Sequence, residues 1–592
     1  MIFPQPKKEE YKNGFCNKTF ASTNDLYEFY QEVKNSIADI LIDSGLGEEE
    51  YYLDVEADKI TIRASSDCGV FRASSSLIQL ADSDGKLPLC SVHDSPDFEK
   101  RAYMLDISRG RIPKKETVVF LIDLLAKLKY NELQLYMEGV VYKYSAFEEL
   151  SAGLDCLTSD DIKFLDKYCS DRFISLVPNQ NSFGHLADWL NRDEFRHLKV
   201  GPAENMHGEI NPSATINPLL PESLEFMDKI YQSLFPYFSA DVANVGFDEV
   251  FDIASYELEE VAKKYGESKI FMDWLSKITA LCQSKYGKKV QFWADMLMKY
   301  PDAYKSLPNG AIPLVWGYDP VSTARKEVQC KMLGDHGIEY YVCPGDNTWL
   351  ALTGRFDVMT FNLRNMADFG MKYKAKGYML TNWGNGGHPQ FPVWTFIPLA
   401  LAGQYAWNSM WEKPGWMLKT DFVRSAKRFT DREIFGEGVS EIIYRMQRYY
   451  RLEPELMHCC SLCGYSFSFP MDTEVVQASF NLTECGDDFY FDNIISYMEK
   501  CLAELDKKSV SDKWKSQIVN NCRMVIIASE LLKIRMSKKV DRNTYDRIYE
   551  LSCEITKEYQ RLWDEENYSS GKELFINQLN SRIEETKCFI IN

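Results

Sequence analysis

Low-complexity tracts, internal repeats and any dense basic stripe are missing from this chain of 592 residues. The first two absences exclude solenoids and disordered scaffolds. The third, with 68 Lys and Arg against 87 Asp and Glu and a net charge of −19, leaves nothing to neutralise a phosphate backbone. No nucleic-acid partner is expected. A membrane is not expected either, because the most apolar run, Phe391 to Trp407, is interrupted by Pro392, Pro398 and Gln404 and is too short for a comfortable span. That run reads as a buried helix. Met1 to Glu10 lack the apolar core and small-residue cleavage site of a secretory signal, so export has no visible support.

Two motif-like stretches also lack what their chemistry requires. Trp383-Gly384-Asn385-Gly386-Gly387 is glycine-rich after a strand but has neither Gly-x-Gly-x-x-Gly nor Gly-Lys-Ser/Thr spacing, so no nucleotide cofactor is expected. His458-Cys459-Cys460-Ser461-Leu462-Cys463 is followed by no second thiol pair or histidine pair at zinc-site distance. A helical thiol cluster is the plainer reading, and no metal is expected.

What is present is an ordinary folded composition, 45% hydrophobic and 26% charged, in a chain long enough for two to four domains. Sixteen scattered cysteines, some in strand-like apolar settings such as Cys343, suit reduced, buried thiols and hence the cytoplasm. Tyr52 to Ile62 reads as two strands around a turn and Val70 to Leu80 as a helix, together a small α+β domain over residues 1–95. From Arg101 short β-rich runs alternate with amphipathic stretches such as Glu116 to Lys129, Pro221 to Leu234 and Ser268 to Lys285. Eight strands are predicted: Tyr103 to Ile107, Glu132 to Met137, Ile174 to Val177, Ala243 to Phe247, Val290 to Trp293, Ile312 to Trp316, Glu339 to Cys343 and Gly377 to Leu380. That rhythm predicts an α/β fold, a (β/α)8 TIM barrel over residues 96–411. Beyond it no strand pattern recurs, and residues 412–592, with Asn493 to Lys507 and Arg542 to Asp564 as examples, read as a helical region.

In such a barrel the chemistry gathers where strands end. Strand one is followed by Arg109, strand two by Glu138, strand three by Asn181 and His185, and strand four by the adjacent acids Asp248 and Glu249. Trp293, Trp316 and Trp383 stand at or near the ends of strands five, six and eight, and strand seven contains Tyr340 and Tyr341. Each has a plainer role: a tryptophan packs in cores, Arg109 pairs with Asp106, His185 is a satisfied loop histidine. Their shared position at one rim points instead to a sugar pocket, where polar anchors meet apolar faces.

Arg101-Ala-Tyr-Met-Leu-Asp-Ile-Ser-Arg109, Asn181-Ser-Phe-Gly-His185, Gly246-Phe247-Asp248-Glu249 and Trp383-Gly384, in this order, resemble family 20 glycoside hydrolases, the β-N-acetylhexosaminidases. The preceding Tyr52-Leu-Asp-Val55 to Asp94-Ser-Pro-Asp-Phe98 resembles the small domain before the barrel in that family, and Val177-Pro-Asn-Gln-Asn-Ser-Phe-Gly-His185 resembles one branch of it. The resemblance implies that Glu249 is the general acid/base and Asp248 the carboxylate that orients the substrate acetamide. It further implies that Arg109 holds sugar hydroxyls, His185 supports the acids, Tyr341 donates to the acetamide oxygen, and Trp293, Trp316 and Trp383 box in the sugar. Phe247 replaces a usual second glycine and either narrows the pocket or points into the barrel. Asn385 stands where an acid commonly meets the sugar 4- and 6-hydroxyls, leaving gluco and galacto substrates both open, and Asn181 replaces an aspartate.

Ordinary glycosidases place two carboxyl groups roughly 5 to 9 Å apart across the scissile bond, which adjacent residues do not easily achieve. An adjacent pair suits substrate-assisted catalysis, in which the 2-acetamido oxygen closes an oxazolinium ring. On this reading the protein is a retaining exo-β-N-acetylhexosaminidase acting on an oligosaccharide or glycoconjugate, with Glu249 raised in proton affinity by burial and by Asp248. Two other readings stand beside it: a retaining β-glycosidase with Glu138 as nucleophile, and an inactive sugar-binding relative. The C-terminal region closes the pocket, forms a homodimer contact or braces the barrel, three roles between which the sequence does not choose.

Overall fold

The computed structural model describes residues 2–20, 25–82, 84–201, 214–300, 302–410, 419–454, 460–470 and 489–591. The first region forms a five-stranded sheet ordered β1-β5-β3-β4-β2, from β1 (Lys8–Thr19), β2 (Asp39–Ile42), β3 (Tyr51–Val55), β4 (Ile60–Ala64) and β5 (Lys86–Asp94). β3 and β4 are the expected antiparallel pair, and their alternate residues Tyr51, Leu53, Val55, Ile60, Ile62 and Ala64 are buried. The following helix begins at Asp67 rather than Val70, because Ser66 Oγ accepts the Gly69 N–H at 3.2 Å and caps it earlier. It is buried nearly all round because its other side meets the barrel, where Arg72 donates to Phe173 O and Ser75 to Lys127 O. Buried charges clamp the two regions: Glu49 joins Arg72 and Arg101, and Lys129 meets Asp94 at 2.7 Å with both side chains fully enclosed.

Eight parallel strands then close on themselves: β6 (Lys100–Asp106), β7 (Glu132–Met137), β8 (Ser175–Gln180), β9 (Val242–Asn244), β10 (Lys289–Trp293), β11 (Ala311–Trp316), β12 (Tyr341–Cys343) and β13 (Gly377–Asn382). β13 pairs with β6 from Gly377↔Lys100 to Asn382↔Leu105 and shuts the barrel. β9 stops at Asn244, short of the expected Phe247, because Gly246 and Phe247 take φ of 78° and 77° and cannot stay extended. β12 starts at Tyr341, not Glu339, which places Tyr341 at the strand's entry rather than near its exit.

The barrel interior holds a polar layer as well as an apolar one. Ala102, Met104, Leu314, Cys343 and Met379 supply apolar filling. Beside them Gln134 Nε2 donates to Glu132 Oε1 at 2.6 Å and Gln291 Oε1 at 2.7 Å, while its Oε1 accepts from Asn179 and Asn244 at 3.0 and 3.1 Å. Gln134 thus joins three other amides and one carboxylate in the core, with Asn179 Oδ1 alone among them left without a partner.

Phe396–Trp407 is the buried helix expected of the apolar run. The expected boundary after 411 falls outside the described residues. Beyond it the helices Lys419–Thr430, Val439–Met446, Phe489–Leu505, Asp512–Ser537, Arg542–Glu566 and Lys572–Thr586 form the C-terminal region. A small correction applies there: Val540–Asp541 and Ile590–Ile591 pair as a short parallel ladder, too brief for a sequence pattern to register. Cys460 and Cys463 are buried without a disulfide, while His458 and Cys459 lie outside the described residues. No helix among the described residues is long and apolar enough to cross a membrane.

Candidate active site

The turn after β9 aims two carboxylates into the mouth of the barrel. Asn244 Oδ1 accepts the Gly246 N–H at 3.0 Å, and any Cβ at Gly246 would lie 2.1 Å from Asn181 Oδ1, so this position requires glycine. Phe247 neither narrows the pocket nor enters the barrel. It is fully buried outside the strands, 5.3 and 5.5 Å in ring separation from Phe183 and Phe271. Sending that ring outward leaves Asp248 and Glu249 facing the cavity.

His185 sits against both acids, its Nε2 3.3 Å from Asp248 Oδ2 and 3.2 Å from Glu249 Oε2, with Nδ1 3.8 Å from Glu138 Oε2. Burial works against charging this ring, but the Asp248 carboxylate, then Glu249 and Glu138, overcome it and raise its pKa to about 9. The expected elevation of Glu249 is corrected by this contact: the His185 ring holds the Glu249 carboxyl below its ordinary value against the opposing effect of burial. Asp248 is the raised member, chiefly through burial, because its side chain is 9% exposed where that of Glu249 is 38%. The two carboxylates thus favour a protonated His185 ring, while burial pulls Asp248 the other way.

Arg109, with φ of 50°, donates to Asp106 Oδ2 at 2.6 Å and reaches Glu138 Oε2 at 3.1 Å. Its guanidinium lies 5.1 Å from the Trp383 ring and 5.3 Å from that of Tyr136. The plain pairing with Asp106 therefore exists, and it holds the arginine at the rim. Asn181 Nδ2 donates to Tyr136 Oη at 3.0 Å, and Tyr136 donates to Glu138 Oε2 at 2.7 Å, so Asn181 is wired through Tyr136 to Glu138. Asn385 lies partly exposed in the turn after Trp383.

The aromatic wall is continuous. Trp293 and Trp383 stand 5.7 Å apart by ring centroids, Trp383 meets Tyr136 at 4.9 Å, and Trp316 stacks on Tyr318 at 5.3 Å. Tyr341 does not join it as expected. Its ring packs beneath the wall, and its hydroxyl donates to Glu132 Oε2 at 3.1 Å in the polar layer, because the residue opens β12 and lies deep in the barrel. The tyrosine hydroxyl among the tryptophans is that of Tyr318, which accepts from Trp383 Nε1 at 2.8 Å and keeps its own proton to donate.

A second residue outside the sequence-based set is Asp295. Its Oδ2 accepts the Glu249 N–H at 3.0 Å and its Oδ1 the Trp316 indole N–H at 3.3 Å. Burial and the nearby Asp248 charge push its pKa up to about 7. Tyr318 and Asp295 each stand two positions beyond a tryptophan already singled out, so following the loops a little further would have reached both. Asn181 Oδ1, His185 Nε2, Asp248 Oδ1 and Trp293 Nε1 are buried here without a hydrogen-bond partner in the protein, the His185 contacts to the two acids being ion pairs short of hydrogen-bond alignment.

Residues 98–355 match the model of the glycosyl hydrolase family 20 catalytic domain, and residues 6–95 that of domain 2 of the same family. Among curated relatives, a beta-hexosaminidase of Vibrio furnissii is 26% identical over 279 residues, 40% of this chain and 44% of the relative. The beta-hexosaminidase subunit beta of Felis catus is 26% identical over 301 residues, 48% and 55% of the respective chains. The chain thus spans about half the length of the curated relatives it matches. Among solved structures, a Flavobacterium johnsoniae chitobiase superposes with a TM-score of 0.60 at 16% identity, over 98% of this chain and 99% of its own. A GH20 exo beta-N-acetylglucosaminidase of Vibrio harveyi gives 0.58 at 18% identity over 73% and 77%. At these identities the structural likeness establishes a shared fold.

Proposed function

Since this chain belongs to glycosyl hydrolase family 20, we propose that it is a retaining exo-β-N-acetylhexosaminidase, removing terminal β-linked N-acetylglucosamine or N-acetylgalactosamine from oligosaccharides or glycoconjugates. The observation that carries this reading is the meeting of Asp248 and Glu249 at His185, within 3.3 Å, beside the tryptophan wall. The relatives' names support it. Glu138 serves as an orienting group rather than a nucleophile, because Arg109 and Tyr136 already engage Oε2 and His185 lies between it and Glu249.

The chemistry follows from where the proton sits. A sugar entering between Trp293, Trp316 and Trp383 covers the exposed flank of Glu249 and removes its water, which raises the carboxyl's proton affinity. Once the ring turns into line with Glu249 Oε2, 3.2 Å away, the proton on His185 Nε2 passes to it and on to the glycosidic oxygen as the bond to C1 breaks. The substrate's acetamide oxygen supplies the electron pair that replaces that bond, closing the oxazolinium ring. Asp248, ionised, accepts the acetamide N–H as positive charge grows there, and Tyr318 donates to the acetamide oxygen. Water activated by Glu249 reopens the ring with retention, and its proton returns to the Glu249–His185 pair. The reduced thiols of the described cysteines fit work in the cytoplasm.

An assay of 4-nitrophenyl 2-acetamido glucosides and galactosides beside the plain β-glucoside and β-galactoside tests this. Turnover is expected only with the acetamido substrates, with competitive inhibition by a thiazoline mimic of the oxazolinium. Equal turnover of the plain glucoside, with no thiazoline inhibition, would sink the reading.

A further inference from the structure

A second cavity lies behind the active site, outside the barrel wall, between β6, the helix Lys115–Lys127 and the C-terminal helices. Its volume is about 230 Å³, well above the roughly 15 Å³ that one water needs. Its inner end is polar and enclosed: Glu566 and Gln390 are each 3% exposed, and Arg111 is 8% exposed. Glu566 Oε1 is held by Lys513 at 2.8 Å, yet Glu566 Oε2 and Gln390 Oε1 have no hydrogen-bond partner, and neither does Arg111 Nε. Two buried acceptors and one donor left unpaired are costly unless something meets them. The walls are apolar and aromatic, supplied by Phe120, Phe396 and Trp514. The outer end reaches solvent between Glu116, Lys513 and Glu565, all exposed.

We infer that this cavity binds a neutral polyhydroxylated molecule of monosaccharide size, separate from the catalytic pocket. Neutral, because each enclosed carboxylate already has its cation, Glu566 with Lys513 and Asp106 with Arg109, and the Arg111 terminal nitrogens are engaged by two backbone carbonyls. Polyhydroxylated, because hydroxyls both donate to Glu566 Oε2 and Gln390 Oε1 and accept from Arg111 Nε, while the ring's apolar face lies on the aromatic walls. The site is wired to the catalytic rim. Asp106 lines it and also holds Arg109, and Arg111 donates to His388 O and Gln390 O at 2.6 and 2.8 Å, fixing the loop that follows Trp383.

Calorimetric titration of the full chain with D-glucose and with xylitol tests the inference, using Trp316→Ala, which removes a wall of the catalytic pocket and touches nothing in this cavity. At least one probe is expected to bind wild type and Trp316→Ala alike, to bind at least tenfold more weakly to Glu566→Gln, and to fail with Leu399→Trp, which fills the cavity. Circular dichroism and Tm verify folding, and if Leu399→Trp does not fold, the isosteric Glu566→Gln decides. Absence of binding of both probes to folded Trp316→Ala, or an unchanged Kd in folded Glu566→Gln, overturns it and leaves the cavity to water alone.

Discussion

The fourth and the eighth strand ends of the barrel both turn through left-handed backbone at bulky residues, Phe247 and Glu249 in one, His388 in the other. Such conformations cost about 1 to 3 kcal/mol each and persist only where neighbours hold them. The eighth loop is tied down at several backbone groups. Gly384 N–H donates to Asp106, His388 Nε2 bonds Ser108 O, and Asn521 from the C-terminal helix Asp512–Ser537 holds both Pro389 O and Phe391 N–H. His388 is neutral, its pKa lowered to about 3 by burial and Arg111. The fourth loop is held at Gly246 N and Glu249 N, while the Asp248 Oδ1 it carries stays unpaired. Two loops of one rim thus differ: the eighth is braced by the C-terminal helices and turns its unpaired Gln390 Oε1 to the rear cavity, while the fourth keeps its unpaired carboxylate oxygen at the barrel mouth.

The sharpest way to break this contrast is to remove the acids. Glu249→Ala should lower kcat by about 10²- to 10⁴-fold on substrates whose leaving group needs a proton, and much less where it does not. Asp248→Ala should fail with both classes. A steady-state comparison on alkyl and activated aryl glycosides reads the difference, and full activity of Glu249→Ala would remove the fourth loop from the chemistry. Next, Asp295→Ala should cost roughly 100-fold in kcat by freeing the Glu249 backbone and the Trp316 indole, with less effect on KM. An unchanged kcat would show that the left-handed turn holds itself.

On the wall side, Asn521→Leu should lower stability by about 1 to 3 kcal/mol for its lost buried hydrogen bonds, measured by urea unfolding, with kcat little changed. A collapse of kcat there would mean that the eighth loop is not passive. The remaining effect is in pH. The folded chain binds the His185 proton more tightly than the unfolded chain, so its contribution to stability is complete below about pH 6.5 and is lost as pH rises through about 9. The difference in Tm between wild type and His185→Gln should narrow over that window.

The barrel, its order of strands and most of the rim were legible because β-rich runs and helical periodicity alternate clearly from Arg101 to Leu380. What was not legible depends on depth and on contacts between distant residues. Tyr341 read as a rim residue because a shift of two positions in where β12 begins is invisible in Glu339-Tyr-Tyr-Val-Cys343, yet it moves a hydroxyl from the mouth to the floor. The protonation of Glu249 was misjudged for a related reason. Its neighbour in sequence is an acid, but its neighbour in space is His185. The bracing role of the C-terminal helices, seen in Asn521 and in Leu574 lying 2.9 Å from a Cβ placed at Gly387, has no local signature at all.

The ring of amides around Gln134 has a consequence for how the barrel closes. Strand side chains alternate, so sliding β7 by one residue would turn Leu133 and Leu135 inward and face them with Asn179, Asn244 and Gln291. Each stranded amide would then cost about 1 to 3 kcal/mol. Greasy filling tolerates such a slip far better, which makes this wet girdle the barrel's alignment key.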